Sequence, residues 1–377
     1  MKTILSIFGT RPEAIKMAPL IKELGKYPDD FSARVCVTAQ HREMLDQVLH
    51  FFQISPDYDL DLMRPGQTLF DITAKGLKGL ESVYDICQPD IVCVQGDTTT
   101  ALIGALAGFY KNVRIAHIEA GLRSGDKASP FPEEANRTIV GHLADYHFAP
   151  TEKAKQNLLH EGLTDNIHVV GNTVIDALFQ GLSLIEQYGD NAYWRFFSFL
   201  DFSKRIILVT GHRRESFGKP FQNICKAIRE IASSYSDIEI VYPAHLNPNV
   251  QNPVTKLLKG IQNIHLIEPV DYPNLLWLLN KSFLVLTDSG GLQEEAPSLG
   301  KPVLVMREIT ERTEGVEAGT AKLVGTNQQT IIREVSTLLA DKSAYQKMSL
   351  AHNPYGDGNA AARIVSALQG LSVIMHR

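Results

Sequence analysis

The chain has 377 residues, of which 44% are hydrophobic, and 37 basic against 42 acidic residues give a net charge of −5. At roughly 100–200 residues per domain, this length predicts two domains or three. Charges of both signs are mixed along the chain, which excludes a disordered or polyelectrolyte protein. The mild acidity gives no reason to expect nucleic acid or an anionic membrane as a partner. An anionic ligand must therefore be bound by local basic residues and helix ends.

The apolar segments are too short for a membrane protein or a secretory signal. Residues 98–110 carry no charge, but a membrane-spanning helix needs about 20 apolar residues. The apolar run at residues 4–8 is shorter than the core of a signal peptide and is better explained as a first buried strand. The four cysteines show no metal-binding or redox spacing, so we expect reduced thiols in a cytoplasmic protein.

Short β-branched runs alternate with longer amphipathic segments along the whole chain. The first series of predicted strands covers residues 4–8, 34–38, 91–95, 114–119, 146–148 and 168–170. The second series covers residues 206–210, 238–242, 264–266, 283–287, 303–305 and 322–324. Helical spacing of apolar residues fills the gaps, for example at residues 13–25. This alternation predicts parallel sheets with helices on both faces.

The two series divide near Gly171, which predicts an α/β protein of two doubly wound, Rossmann-like domains that face a cleft. The expected domains are residues 1–171 and 172–358. An amphipathic stretch at residues 359–371 follows a glycine-rich turn, and we expect the C-terminal segment 359–377 to pack back on the first domain. Ligands of doubly wound sheets bind beyond the carboxyl ends of the strands, so residues there should carry the function.

The first strand ends in a glycine turn that opens a helix, with Arg11 and Lys16 in or near its first turn. Free N–H groups at a helix start bind anions, and both cations would add to that attraction. The alternative is a tight turn with two solvated cations. Since cations in the first turn oppose the helix dipole, some compensating interaction is expected.

Acidic residues follow the third and fourth strands. Asp97 is either a helix N-cap or a cleft carboxylate. Glu119 closes an apolar strand, and either Glu133 or Glu134 begins the next helix, where acids are common. Carboxylates that converge on one cleft repel one another, so one of them should have a raised pKa and act as an acid or base.

The second series carries basic and glycine-rich strand ends. His212, Arg213 and Arg214 follow residues 206–210 and suit a diphosphate, although one of the arginines could instead pair with Glu215. The sequence TDSGGLQEE follows residues 283–285 and opens a helix expected to end at residue 300. In that motif we expect Ser289 to cap the helix, the next two glycines to approach a phosphate, and an acid one turn later to accept hydrogen bonds from sugar hydroxyls.

Several signatures are absent from the sequence. There is no GxGxxG after the first strand, no GxxxxGK[ST], no GxSxG, and no set of His and Asp with metal spacing. No metal and no nicotinamide cofactor is therefore expected. The residues alone predict a two-domain α/β protein that binds a nucleotide diphosphate.

The strand-end motifs resemble the bacterial non-hydrolysing UDP-N-acetylglucosamine 2-epimerases. The similar segments run nearly end to end: GTRPEAIKMAPL, TAQHREMLDQVL, GDTTTAL, HIEAGLRSGD, FPEEANR, GNTVIDAL, VTGHRRESFG, VYPAHLNPNV, TDSGGLQEEAPSLGKPVLVMR and NPYGDGNAAARI. The resemblance implies the glycosyltransferase-B architecture and the interconversion of UDP-GlcNAc and UDP-ManNAc. It also implies the mechanism, in which UDP is eliminated to give 2-acetamidoglucal and is then added back.

The resemblance also assigns residues. Asp97, Glu119 and Glu133 are the implied acid–base groups, and His212 acts near the diphosphate. The remaining implied substrate contacts are Arg11, Lys16, Val270, Leu275, Ser289, Gly290, Gly291, Glu295 and Arg312. A second UDP-GlcNAc, as activator, would contact Gln40, His41, Glu43 and Gln67, although the sequence at residues 64–66 departs from the family pattern. The family resemblance further implies a homodimer and a supply of ManNAc units for cell-surface polysaccharide.

Three other functions fit part of these features. A sugar transferase of the same architecture would share the nucleotide site but would not need three carboxylates. A non-catalytic nucleotide-sugar sensor would not need them either. A hydrolysing 2-epimerase would release free ManNAc and often carries a kinase domain, for which 377 residues leave no room.

Overall fold

The computed structural model describes residues 1–39, 42–64 and 66–370. The chain forms two compact units, one made of Met1–Gln180 with the segment that begins at Gly356, the other of Gly181–Tyr355. The predicted boundary lay after residue 171. Residues 172–180 instead group with the first unit, so the division falls inside a helix.

The first unit contains a sheet of seven parallel strands in the order β3-β2-β1-β4-β5-β6-β7. Its strands are Lys2–Phe8 (β1), Phe31–Val37 (β2), Tyr58–Asp59 (β3), Ile91–Gln95 (β4), Arg114–Ile118 (β5), Tyr146–Ala149 (β6) and Ile167–Val169 (β7). Its helices are Arg11–Leu24 (α1), Arg42–Phe51 (α2), Leu69–Cys87 (α3), Thr99–Tyr110 (α4), Glu133–Leu143 (α5), Glu152–His160 (α6) and Thr173–Tyr188 (α7), the last of which crosses the boundary.

The second unit contains a sheet of six parallel strands in the order β10-β9-β8-β11-β12-β13. Its strands are Arg205–Thr210 (β8), Ile238–Pro243 (β9), Ile264–Ile267 (β10), Leu284–Thr287 (β11), Val303–Val305 (β12) and Ala321–Leu323 (β13). Its helices are Asn191–Phe196 (α8), Lys219–Ser234 (α9), Pro248–Leu258 (α10), Tyr272–Lys281 (α11), Gly290–Glu295 (α12), Thr313–Glu317 (α13), Gln328–Ala340 (α14) and Lys342–Ser349 (α15).

Both sheets have the strand arrangement of a doubly wound fold, so the prediction of two Rossmann-like α/β domains is confirmed. In each sheet the order reverses beside the first strand, between β1 and β4 and between β8 and β11. The strands at these points are almost fully buried, as expected for strands covered on both faces. Their carboxyl ends are the places where such folds bind ligands.

The predicted strands agree with the structure to within three residues at each end. Two differences matter. The pair Tyr58–Asp59 adds a seventh strand to the first sheet, and two residues are too few to show a period in the sequence. Strand β5 ends at Ile118, so Glu119 lies just beyond it rather than inside it.

The C-terminal helix Ala360–Gln369 (α16) lies within the first unit and contacts α1. The Lys2 ammonium donates to the Leu368 carbonyl at 2.8 Å. At the other end, the Asp176 carboxylate accepts from the backbone N–H groups of Ala360 and Ala361 at 3.2 and 2.8 Å. A side chain of α7 thus caps α16. The predicted extension of this segment to residue 377 lies partly outside the described residues.

In the part of the chain that the structure covers, no helix is both long and apolar enough to cross a membrane. Among the same residues, no cluster of three or more His, Cys, Asp or Glu side chains is arranged to hold a metal ion.

Two buried histidines lie side by side in the first sheet. His117 on β5 and His147 on β6 are partners in the strand register, and both are almost completely buried. The His117 Nε2 lies 2.7 Å from the Gly96 carbonyl, which fits an Nε2–H donor. Burial lowers the pKa of His117 to about 3 and that of His147 to about 4. The folded protein therefore keeps both rings neutral.

We expect the free energy of unfolding to decrease as the pH falls below 6.5, the value at which an unfolded histidine begins to bind its proton. Below this pH the two histidines bind protons in the unfolded chain but stay neutral in the folded protein, until the pH approaches 3 to 4. His117→Gln should reduce the number of protons taken up on unfolding by up to one, which makes the free energy of unfolding less dependent on pH. Urea unfolding between pH 7 and pH 4 measures this change. His50→Gln, at an exposed position, should leave it unchanged. An identical pH dependence in His117→Gln and the wild type would contradict the assignment.

Candidate functional site

The turn after β1 is built around two close contacts. A Cβ at Gly9 would lie 2.0 Å from the Thr38 hydroxyl oxygen, so only glycine fits. Glu13 is buried and accepts hydrogen bonds from the backbone N–H groups of Gly9 and Thr10 at 3.1 and 2.8 Å. Burial raises the pKa of Glu13. This acid, which was not among the sequence candidates, holds the turn together.

Glu119 is the most constrained acid at this edge of the sheet. Its backbone has φ +65°, a left-handed conformation that costs a non-glycine residue about 1–3 kcal/mol. Its buried carboxylate binds the Lys16 ammonium through both oxygens, at 2.6 and 2.7 Å. Lys16, predicted to face the substrate, is thus the ion-pair partner of Glu119. The pair supplies the compensation that a cation near the start of α1 requires.

Two buried amides also contact the Glu119 carboxylate. The Gln95 side chain donates to Oε2, and Asn172 donates to Oε1 at 3.4 Å. Gln95 ends β4, and Asn172 follows β7 in the GNT motif. Neither residue was predicted to belong to the site. The position of Asn172 in the short turn between β7 and α7 was the signal that could have identified it.

Asp97 lies in a second ion-pair group at the same edge. Arg137 binds the Asp97 carboxylate and also lies 3.2 Å from an oxygen of Glu134. Thr98, rather than Asp97, is the N-cap of α4 and accepts from the Ala101 N–H at 3.1 Å. The alternative of Asp97 as a helix cap is therefore wrong. Its carboxylate instead pairs with Arg137.

Glu133 and Glu134 differ although they are neighbours at the start of α5. Glu134 is buried and accepts from the N–H groups of Ser124 and Gly125 at 3.0 Å, which fixes the preceding loop. Glu133 is half-buried, and within the described chain its carboxylate forms no hydrogen bond or ion pair. The same holds for the guanidinium of Arg11 at the first position of α1, again among the described residues only. Glu133 and Arg11 are thus the uncommitted charges of this edge.

In the second unit, Asp288 organises the loop after β8. Its buried carboxylate accepts from the backbone N–H groups of His212 and Arg213 at 2.7 and 2.8 Å. The His212 ring nitrogen Nδ1 lies 3.4 Å from the other Asp288 oxygen, and the ring stacks on His245. Burial lowers the pKa of His212, while the Asp288 charge acts in the opposite direction. Asp288 lies in the predicted TDSGG motif, but no role was assigned to it.

The predicted pairing of Arg213 or Arg214 with Glu215 is wrong. Glu215 pairs with Arg307 across the sheet edge, with a distance of 2.9 Å between Nε and Oε1. Arg307 also binds Glu311. The cations at residues 213 and 214 are therefore not neutralised by their neighbour in the sequence.

The glycine turn after β11 has the predicted position, but the predicted capping hydrogen bond is absent. Ser289 occupies the N-cap position of α12, yet its side chain makes no capping hydrogen bond. Its backbone N–H instead donates to the Thr287 hydroxyl at 2.9 Å. The α-helix ends at Glu295 and continues as a 3₁₀ turn to residue 299, so it is shorter than predicted.

Arg312 lies directly over this turn. A Cβ at Gly290 would come within 3.3 Å of the Arg312 guanidinium carbon, so glycine provides the space for the arginine. The Arg312 Nε donates to the buried Glu294 at 2.9 Å, which fixes the guanidinium. The turn and Arg312 thus combine backbone N–H groups with a positioned cation.

Glu295 faces the glycine turn from the last position of α12. A Cβ at Gly291 would be 3.5 Å from the Glu295 carboxylate. The buried Tyr272 donates to Glu295 at 3.4 Å, and burial raises the pKa of Tyr272 well above its usual value. Val270 and Leu275 are both half-buried around the start of α11. Tyr272 lies between these two predicted contacts and was missed.

The predicted activator residues are only partly covered. Gln40 and His41 lie outside the described residues. Glu43 is exposed in the first turn of α2. The Gln67 amide is occupied by its own loop, since it donates to the Leu62 carbonyl at 2.5 Å and accepts from the Arg64 N–H at 2.8 Å.

Comparison with known proteins identifies the family. The family model described as UDP-N-acetylglucosamine 2-epimerase matches residues 22–369. A UDP-N-acetylglucosamine 2-epimerase of Yersinia pestis is 58% identical over 376 residues, which cover 99% of this chain and 100% of the relative. The structure of the Neisseria meningitidis UDP-GlcNAc 2-epimerase bound to UDP-GlcNAc is 49% identical, with a TM-score of 0.89 and coverage of 97% and 99%. The Methanocaldococcus jannaschii enzyme in complex with UDP-GlcNAc and UDP is 38% identical, with a TM-score of 0.79 and the same coverage. The chain belongs to the UDP-N-acetylglucosamine 2-epimerase family.

Proposed function

We propose that the protein interconverts UDP-GlcNAc and UDP-ManNAc by eliminating UDP and adding it back. The observation that carries this proposal is the pair of acids, Asp97 and Glu119, that follow the neighbouring strands β4 and β5, each with its own cation. The family supports the substrate, since a relative that is 49% identical binds UDP-GlcNAc.

The chemistry follows from the substrate. Carbon 2 of UDP-GlcNAc bears an acetamido group and has no adjacent carbonyl, so its proton is not acidic. A base removes this proton while the bond between carbon 1 and the UDP oxygen breaks. The electron pair of the C–H bond becomes the double bond of 2-acetamidoglucal, and UDP leaves with the other pair. Adding UDP back to carbon 1, with a proton delivered to the opposite face of carbon 2, gives the epimer. Two acid–base groups and a diphosphate site suffice.

We assign the sugar end of the substrate to the first unit. Asp97, Glu119 and Glu133 are the proposed acid–base groups, and Arg11 contributes charge near the leaving group. Lys16 holds the Glu119 carboxylate in place through both of its oxygens.

We assign the nucleotide end to the second unit. His212 supports the diphosphate, as a hydrogen-bond donor or acid, and Arg312 and the turn at Ser289, Gly290 and Gly291 supply further donors. Glu295 accepts hydrogen bonds from ribose hydroxyls. Val270 and Leu275 flank the uracil side with their half-buried side chains.

A homodimer, activation by a second UDP-GlcNAc and a supply of ManNAc units for cell-surface polysaccharide in the cytoplasm are further parts of this proposal. Exposed aromatic side chains on α3 and α4 support the dimer, since Phe70, Phe109 and Tyr110 are 88%, 56% and 67% exposed. Size measurement by light scattering tests this part independently of activity.

A sugar transferase is the strongest rival. It would share the nucleotide site, but it would turn over UDP-GlcNAc only with an acceptor. The proposal requires UDP-ManNAc to form from UDP-GlcNAc alone.

The proposed mechanism needs neither a metal nor a nicotinamide, so turnover should persist in excess EDTA with no nicotinamide added. Loss of activity in EDTA, restored by a divalent ion, would contradict the mechanism.

Asp97→Asn, Glu119→Gln and Glu133→Gln should each slow epimerisation by at least about 10²-fold, because general acid–base catalysis contributes about 10²–10⁴-fold. UDP affinity, measured by calorimetry, should be largely kept, since the second unit is untouched. A variant impaired in the addition step should release 2-acetamidoglucal and UDP, detected by NMR. Glu152→Gln, at an exposed position of α6, is the matched control. Wild-type rates in all three variants would show that these carboxylates are structural.

Asp288→Asn should lower the pKa of His212 further, because the negative charge that opposes the effect of burial is removed. One amide oxygen would still accept from the N–H groups of residues 212 and 213, so the loop should keep its conformation. NMR titration of the His212 imidazole measures the change, and UDP affinity should decrease with it. Asp341→Asn, which alters the N-cap of α15, should leave both unchanged. An unshifted His212 titration would contradict the role given to Asp288.

A further inference from the structure

We infer that Gln95 and Asn172 are positioning residues that fix the orientation of the Glu119 carboxylate for proton transfer. This inference rests on the proposed function of Glu119. It assigns to two uncharged amides a role in the reaction that neither the sequence motifs nor the family match gives them.

The contacts divide between the two carboxylate oxygens. Gln95 donates to Oε2 and Asn172 donates to Oε1 at 3.4 Å, while Lys16 binds both oxygens. Gln95 and Asn172 are each only 3% exposed. The amides thus approach the carboxylate from two different segments, one from each side, and water does not compete for these positions.

The orientation of each amide is fixed by the fold. The Asn172 oxygen Oδ1 accepts from the Val174 N–H at 3.0 Å at the start of α7, so its NH₂ group must point toward Glu119. Gln95 pairs with Ile118 in the parallel register of β4 and β5, which places its side chain beside the residue after Ile118. The next N–H along, of Gly96, donates to the Ile118 carbonyl at 2.9 Å. The Asn172 donor is therefore oriented by the fold, and the strand register holds the Gln95 backbone beside Glu119.

Lys16 alone does not provide this orientation. An ammonium group on a four-carbon stem attracts a carboxylate as a point charge and tolerates rotation of the carboxylate plane. Two amides on opposite oxygens define that plane. Since proton transfer depends on geometry as well as on charge, loss of an amide donor should reduce kcat more than it changes KM.

The alternative is that the amides only tie β4, β7 and α7 together. Two uncharged variants separate these roles. Gln95→Met keeps the volume and removes the donor. Asn172→Ser keeps an acceptor for the Val174 N–H, because a serine hydroxyl can accept from the N–H two residues on, but it is too short to reach Glu119 and adds no charge. Asn263→Ser in the second unit is the matched control, because the Asn263 amide donates to backbone carbonyls, at 2.9 Å to that of Ala232.

A hydrogen bond to a charged group contributes about 1.5–3 kcal/mol, so each variant should lower kcat by roughly 10–100-fold with UDP affinity kept. In a Glu119→Gln background, neither variant should lower kcat further, because the group through which it acts is gone. Kinetics of the single and double variants, each corrected for its folded fraction, provide this test. An effect on kcat that persists in the Glu119→Gln background, or one no larger than that of Asn263→Ser, would overturn the inference.

A second measurement does not depend on turnover. With ¹³C-labelled glutamate, the Glu119 carboxyl resonance should titrate at higher pH in Gln95→Met and Asn172→Ser than in the wild type, since each loses a donor to the ionised form and neither adds a charge. An unchanged midpoint would overturn the inference. If the midpoint shifts in the variants but the wild-type protein does not turn over UDP-GlcNAc, the proposed function is overturned instead. If Gln95→Met does not fold, Gln95→Asn, which shortens the reach of the amide, should shift the midpoint in the same direction.

Discussion

The ion pair between Lys16 and Glu119 is the interaction on which the first unit's site depends. Both side chains are largely removed from water, and the ammonium contacts both carboxylate oxygens. Removing one partner of such a pair leaves an uncompensated buried charge, at a cost of about 3–5 kcal/mol. The left-handed backbone of Glu119 adds strain at the same residue. A chain maintains such an arrangement only where its surroundings determine it from several sides.

Those surroundings come from the doubly wound topology. Strands β1, β4 and β5 are neighbours in the sheet. Helix α1 therefore begins next to the strand ends that carry Gln95 and Glu119. The second unit repeats the arrangement with different chemistry, because Asp288 there accepts from the backbone N–H groups of His212 and Arg213 instead of pairing with a lysine. Buried carboxylates thus organise the strand ends of both units, and we propose that the first edge serves acid–base chemistry and the second binds an anion.

The sequence could predict positions better than partners. Apolar runs and the alternation of strands and helices were sufficient for both sheets, and strand ends led directly to Asp97, Glu119, His212 and Ser289. The pairing of Lys16 with Glu119, or of Glu215 with Arg307, joins residues about a hundred positions apart in the chain, and no local pattern reports it. Asn172 was overlooked because an amide after a strand resembles any turn residue until its neighbours are known. The strand Tyr58–Asp59 was not predicted, because two residues are too few to show the alternation of apolar and polar side chains.

The most direct test of the account is an NMR experiment on the wild-type protein with UDP-GlcNAc in heavy water. The proposed mechanism removes the proton from carbon 2 and returns one from an acid that exchanges with solvent. The UDP-ManNAc formed should therefore carry deuterium at carbon 2, with no acceptor, metal or nicotinamide added. UDP-ManNAc that retains protium at carbon 2, or the absence of any epimer, would contradict it.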